Sequence, residues 1–157
     1  MNKIHNYNIE VKWTGNDGQG TKAYNTYSRD HEIRGVQKMC IPGSSDPSFL
    51  GDKKRYNPEE LFLASISSCH MLWYLHLCTS SEIIVVDYLD QAEGYMEETA
   101  KGSGHFTQVI LHPEITLLNK DKIREAEMLH HRANEMCFIA NSCNFEIKHS
   151  PIILVRA

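Results

Sequence analysis

The longest uninterrupted apolar stretch of the chain runs from Leu61 to Cys78 and carries no charged residue. A helix that is apolar nearly all round its circumference needs cover on every side. Its start is signalled by Asn57 as an N-cap, Pro58 at the first helical position and Glu60 as the third-position carboxylate of a capping box. Upstream, Tyr7, Ile9, Val11 and Trp13 alternate with Asn8, Glu10 and Lys12, the period of a strand. Thr14 to Gly20 is a turn of Gly, Asn and Asp, and Thr21 to Ser28 is expected to return as the second strand of a hairpin. Ile41 to Tyr56 has no period and contains Pro42, Gly43, Pro47 and Gly51. It reads as a loop of roughly 15 residues, a length that often marks a lid or a partner-binding segment.

Beyond the apolar helix, Ile83 to Tyr88 is a β-branched run and Ala92 to Glu98 its expected hairpin partner. After a turn at Lys101–Gly104, His105 to Leu118 reads as one long strand, bent or bulged at Pro113, which has no N–H to give to a ladder. A second helix, capped by Asn119 or Asp121, is expected over about Lys122 to Ala140. Ile123, Ala126, Leu129 or His130, Ala133, Met136 or Cys137, and Ala140 recur there at helical spacing, opposite a face of Lys122, Arg124, Glu125, Glu127 and Arg132. Phe145, Ile147 and His149 alternate in a short strand, and Ile152 to Val155 suits a sheet edge. Strand runs separated by two helices imply one α+β domain, residues 1–157, built on antiparallel sheet. A chain of 157 residues has little to spare for covering an all-round apolar helix, which favours a homodimer.

Composition narrows the function classes. A net charge of -4 and a pI near 6.1 argue against nucleic acid and anionic membrane surfaces as partners. The opening residues lack the apolar region of a signal peptide. The five cysteines (Cys40, Cys69, Cys78, Cys137 and Cys143) are odd in number and contain no C-x-x-C, which points to free thiols in a reducing cytoplasm. Leu61–Cys78 has nearly the length of a membrane span, but its serines and histidines and the lack of a second such stretch argue for a soluble core helix.

The polar exceptions in that helix mark the chemistry. Cys69 is flanked by Ser67, Ser68 and His70. Cys137 lies on the core-facing edge of the second helix. Packed helices stand about 8–10 Å apart, so facing positions can reach the roughly 5.5 Å Cα separation of a disulfide. A bridgeable thiol pair in a cytoplasmic protein is usually redox-active. A reactive thiol needs a positive neighbour. Cys69 is twelve residues past Asn57, beyond the reach of the helix dipole, which leaves His70 or an arginine: Arg29 first, Arg34 and Arg55 as alternatives. Against these stand plainer readings. A buried cysteine usually packs as a small hydrophobe, the role given to Cys40, Cys78 and Cys143. Arg29–Asp30–His31 also suits a solvated strand end. A metal site built from Cys69, Cys137 and His70 or His130 lacks the tight cluster of about four ligands that structural zinc requires.

N-P-E-E-L-x-L-A-x-x-x-S-C-H, from Asn57 to His70, resembles the central helix of the OsmC/Ohr family, the osmotically inducible protein C and organic hydroperoxide resistance proteins. A-N-E-M-C-F-I-A-N-S, from Ala133 to Ser142, is similar to its second-cysteine helix, and W-T-G at Trp13 and G-H-F-T-Q-V-I-L at Gly104 fit as well. The resemblance implies antiparallel sheets packed around two long helices, one central and buried, in an intertwined homodimer. It also implies a cofactor-free thiol peroxidase of the stress response. Cys69 would reduce an organic hydroperoxide and become a sulfenic acid, Cys137 would close a disulfide with it, and a dithiol, possibly on a lipoylated protein, would reset the pair. Glu59 falls at the family's supporting glutamate. The family's usual arginine position lies near Gln19, which leaves Arg29 as the expected arginine. Ten residues separate Glu59 from Cys69, about 15 Å of straight helix, so a shared site would draw Glu59 from the other subunit or need a bent helix start. Asn134 and Phe138 stand where the family commonly has His and Pro. The alternative function is a non-enzymatic stress protein of the same fold that holds a hydrophobic small molecule in an apolar pocket lined by residues such as Trp73, Tyr74 and Phe106.

Overall fold

The computed structural model describes residues 3–156. The chain divides after Leu61 into two compact units. In the first, β1 (Glu10–Trp13), β2 (His31–Arg34) and β3 (Ile41–Gly43) form an antiparallel sheet in the order β1-β2-β3. Trp13 pairs with His31 and Glu10 with Arg34. The returning strand is therefore His31–Arg34 and not Thr21–Ser28. The reason is local. Arg29 donates from its two terminal nitrogens to the carbonyls of Tyr27 and Tyr24, at 2.6 and 2.7 Å, which takes those acceptors from any ladder. Asn16 Oδ1 accepts from the amides of Gly18 and Gly20, both at positive φ, and winds the segment into turns. Trp13 Nε1 donating to the Ser28 carbonyl at 2.8 Å closes the excursion. The irregular segment after it holds β3 and a single 3-10 turn over Pro47–Phe49, capped by the Asp46 carboxylate.

Helix α1 spans Pro58–Ser80. Its start is the expected capping box: Glu60 N donates to Asn57 Oδ1 at 2.7 Å and Asn57 N donates to Glu60 Oε2 at 3.0 Å. Glu82, in the left-handed conformation, ends it, with Ile83 N turning back onto the Cys78 carbonyl.

In the second unit, β4 (Val85–Asp90), β7 (Pro113–Leu117) and β9 (Ile152–Val155) form one sheet in the order β4-β7-β9. A second sheet takes β5 (Glu93–Glu98), β6 (Gly104–Leu111) and β8 (Glu146–His149) in the order β5-β6-β8. Two expectations change here. β5 pairs with β6 and not with β4, and the long strand is two strands in two sheets. The break at His112–Pro113 follows from proline's missing donor and from Asp90. That carboxylate accepts from His112 N at 2.7 Å through one oxygen and from Ser67 Oγ through the other. β8 and β9 lie parallel to β6 and β7, where antiparallel pairing was expected throughout. The chain between them runs through α2 (Ile123–Met136), a crossover long enough for parallel neighbours. α2 stops at Cys137, short of the expected Ala140, because Cys137 is extended at φ -67, ψ 111 and a 3-10 turn over Ala140–Ser142 follows.

The core of this unit has two parts. Tyr74 and Cys78 of α1 meet Ile83, Ile115, Leu117, Ala126 and Ala133; Ile66 meets Val109 and Leu111. On α1 the buried residues are Ile66, His70, Tyr74 and Cys78, a single stripe at four-residue spacing. The rest of this helix, the one among the described residues long and apolar enough to cross a membrane, lies half-buried or exposed within the chain; Leu72 is 63% exposed.

Candidate active site

Cys69 projects from the middle of α1, half-buried and reduced. Cys137 is fully buried at the C-terminal cap of α2, where Ala140 N donates to its sulfur at 3.4 Å. Cys69 is the thiol neighbour close enough to act on the ionisation of Cys137. Burial first, and then the neighbouring Cys69, push the Cys137 thiol up to about 11. Cys137 therefore stays a protonated thiol at physiological pH, while Cys69 is the more accessible of the two.

The remaining cysteines divide differently from expectation. Cys78 is packed in the core against Tyr74, and burial pushes its thiol up to about 11. Cys143 packs at the edge of the Ile66 cluster and donates to the Ile139 carbonyl at 3.2 Å. Cys40 is exposed and so is not a packing residue; it ends the connection between β2 and β3, residues 35–40.

Behind Cys69, on the buried stripe, the structure assembles a histidine cluster. His70 Nε2 and His130 Nδ1 share a hydrogen bond of 3.0 Å, and both residues are essentially inaccessible. Tyr74 lies flat on His130 with ring centres 3.9 Å apart, and His149 stands 5.8 Å from His70 and 6.1 Å from His130. Burial, and then His149, lower His70 to about 4; burial, then His70 and His149, lower His130 to about 3. Both rings are thus neutral at physiological pH, and neither supplies the positive charge that His70 was a candidate to give. The helical repeat had left Leu129 and His130 as equivalent choices, and only the packing shows His130 inside while His131 pairs with Glu135 in solvent. Among the described residues no group of three or more His, Cys, Asp or Glu side chains is placed to hold a metal ion.

On the Cys69 side of α1, three, four and seven residues further along, Leu72, Trp73 and His76 line a shallow concavity of about 250 Å³. Phe138, next to Cys137, meets the Trp73 ring edge-on at 5.5 Å. Asn134, one turn before Cys137, has its side-chain oxygen buried without a hydrogen-bond partner. In the first unit, Arg29 is held between the rings of Tyr24 and Tyr27, its guanidinium carbon 4.3 and 4.2 Å from their centres. Two of its five N–H donors are spent on carbonyls, and three remain. Glu59 is half-buried in the first turn of α1, beside the capping-box Glu60.

Comparison with known proteins bears on the family and the fold. The family model described as OsmC-like protein matches residues 51–151. An OsmC-like protein of unknown function from Vibrio cholerae is 32% identical, with a TM-score of 0.85 over 95% of this chain and 100% of the other. An organic hydroperoxide resistance protein OsmC from Legionella pneumophila shares the fold at 22% identity and a TM-score of 0.66, covering 97% and 100%. An organic hydroperoxide resistance protein from Elizabethkingia anophelis does so at 19% and 0.67, covering 99% and 100%. A comparison with curated proteins finds no match. With two thirds of its length under the family model, and a relative at 32% identity along nearly all of it, this chain is a member of the OsmC-like family.

Proposed function

We propose that the protein is a thiol peroxidase acting on organic hydroperoxides, with Cys69 as the peroxidatic residue and Cys137 as the resolving one. The observation that supports this reading is the pairing of a half-buried thiol on α1 with a neighbouring, fully buried thiol at the end of α2 whose ionisation it affects. The Cys69 thiolate attacks one peroxide oxygen. An S–O bond forms, the O–O bond breaks, and the departing alkoxide takes a proton to leave as the alcohol. Cys137 then attacks the sulfenyl sulfur. An S–S bond forms, the S–O bond breaks, and the Cys137 proton leaves with the hydroxyl as water. An external dithiol, as on a lipoylated protein, reduces the disulfide by exchange. The concavity of Leu72, Trp73 and His76 gives the organic group an apolar seat beside Cys69. Arg29 and Glu59 are assigned to the support of the thiolate; Arg29 has free donors for a peroxide oxygen. The working unit is a homodimer, a reading supported by the apolar surface that α1 leaves uncovered.

The test is one equivalent of cumene hydroperoxide added to reduced protein, followed by mapping of the cysteines by mass spectrometry. The expected product is a Cys69–Cys137 disulfide with loss of the peroxide. Cys69→Ser abolishes peroxide consumption and Cys137→Ser permits a single turnover. Thiols left unreacted by the peroxide would replace this reading with that of a hydrophobic-ligand protein on the same fold.

A further inference from the structure

Resting on the assignment of Cys69 and Cys137 as a redox pair, we infer that the buried His70–His130 contact is a positioning device that sets the register of α1 against α2 and so determines how readily the two thiols join. The nitrogens are 3.0 Å apart, the ring centres 5.3 Å and the ring planes only 8° apart. Those values describe two imidazoles edge to edge in nearly one plane, each directing one nitrogen at the other. Such a pair holds a proton between its nitrogens and leaves no room there for a shared metal ion. One ring must be donor and the other acceptor, and with both rings neutral the bond forms in either sense.

The contact stands where the thiols need it. His70 adjoins Cys69 on α1, and His130 lies seven residues, two turns, before Cys137 on α2. Around it the α1–α2 contact is apolar and made with small residues, Ala126 and Ala133. Apolar contacts of that kind are non-directional and resist sliding weakly. The hydrogen bond is directional and buried, and Tyr74 stacked on His130 fixes the ring that makes it. Its other nitrogens, His70 Nδ1 and His130 Nε2, are buried without partners, so a slide that broke the bond would strand the inner nitrogens as well. A disulfide tolerates Cα separations of about 4.4–6.8 Å, so a slip by the roughly 1.5 Å rise of one residue consumes much of that range. Attack on peroxide does not involve Cys137 and so does not depend on the register.

The test measures the Cys69–Cys137 disulfide in glutathione redox buffers, without peroxide, so that it stands apart from the peroxidase assay. The double variant H70L/H130L replaces both rings by apolar groups of similar bulk. Its expected effect is a fall of about tenfold in the equilibrium constant for bridging, equivalent to about 30 mV. Its first-turnover rate with cumene hydroperoxide stays within about threefold of the wild type. H70Q/H130N, which keeps a polar atom near each bonded nitrogen, restores bridging. Wild-type bridging in H70L/H130L, or failure of H70Q/H130N to restore it, overturns the inference. If H70L/H130L does not fold, nitrogen-15 NMR of the unaltered protein decides: the Nε2–Nδ1 coupling across the hydrogen bond persists after oxidation with diamide, and its loss on oxidation refutes a register role. Peroxide that fails to bridge the wild type while glutathione succeeds would count against the peroxidase reading alone.

Discussion

Acid should destabilise this protein well before its carboxylates titrate, and the histidine cluster gives the size of the effect. In the unfolded chain His70 and His130 take up protons near their ordinary 6.5; in the folded chain they do so at about 4 and about 3. A depressed folded-state pKa contributes stability that is complete above 6.5 and is lost as pH falls through the folded value. The differences correspond to about 3 kcal/mol for His70 and about 5 kcal/mol for His130, drawn down between pH 6.5 and about 3. With both imidazoles protonating on unfolding, the slope approaches about 2.7 kcal/mol per pH unit, and His149, also lowered by burial and then by His131, steepens it. A typical domain has only about 5–15 kcal/mol in total, so the native state should fail near the lower end of that window. The groups around the cluster do not relieve this: burial keeps Tyr74, Tyr88 and Cys78 protonated, and the nearby Glu125 raises the Cys78 thiol. Urea unfolding of the reduced protein at a series of pH values between about 7 and 4.5 measures the slope directly. The double variant H70L/H130L should lose most of it. A flat wild-type profile across that range, or an undiminished slope in the variant, would refute the reasoning.

Three further outcomes are expected. Iodoacetamide at about pH 8 should label the half-buried Cys69 well ahead of the buried Cys137, whose thiol is held near 11; equal labelling by mass spectrometry would contradict that burial. Asp90→Ala removes the carboxylate that joins Ser67 of α1 to the His112 amide at the strand break, and should cost about 2–4 kcal/mol in urea unfolding; a loss under about 0.5 kcal/mol would show the junction to be held by packing alone. Leu72→Arg places a charge on the uncovered face of α1 and should shift the protein toward monomer in sedimentation; an unchanged sedimentation profile would exclude that face from the interface.

Much of the fold was legible because local chemistry and tertiary structure agree over long stretches. The Asn57–Glu60 capping box forms as the residues imply, and Ile152–Val155 becomes an edge strand. The misreadings have specific causes. Thr21–Ser28 has strand-compatible residues, but an arginine five positions away captures its carbonyls, a side-chain competition that periodicity does not register. β5 and β6 were recognisable as strands, yet which strand pairs with which depends on long-range register. Proline at 113 announced a bend, but the assignment of its two halves to different sheets depends on an acidic residue in a distant strand.

The site was legible only as far as the cysteines. Their positions on two helices implied a bridgeable pair, and Cys69 is near enough to Cys137 to act on its ionisation. The imidazoles behind them were hidden for a physical reason: the helical repeat leaves Leu129 and His130 as alternatives for the inner face, and the partner that makes His130 a buried donor or acceptor is His70, sixty residues away. The asymmetry of the thiols was hidden too, because it arises from burial and not from residue type. In the proposed peroxidase cycle it gives the pair its order of events. A thiol kept protonated near 11 does not compete with Cys69 for the peroxide. It becomes useful only when the neighbouring sulfur has become electrophilic and carries a hydroxyl that can leave with its proton. In the proposed cycle, burial of Cys137 thereby separates oxidation from resolution, while the histidine pair holds the distance over which the second step occurs.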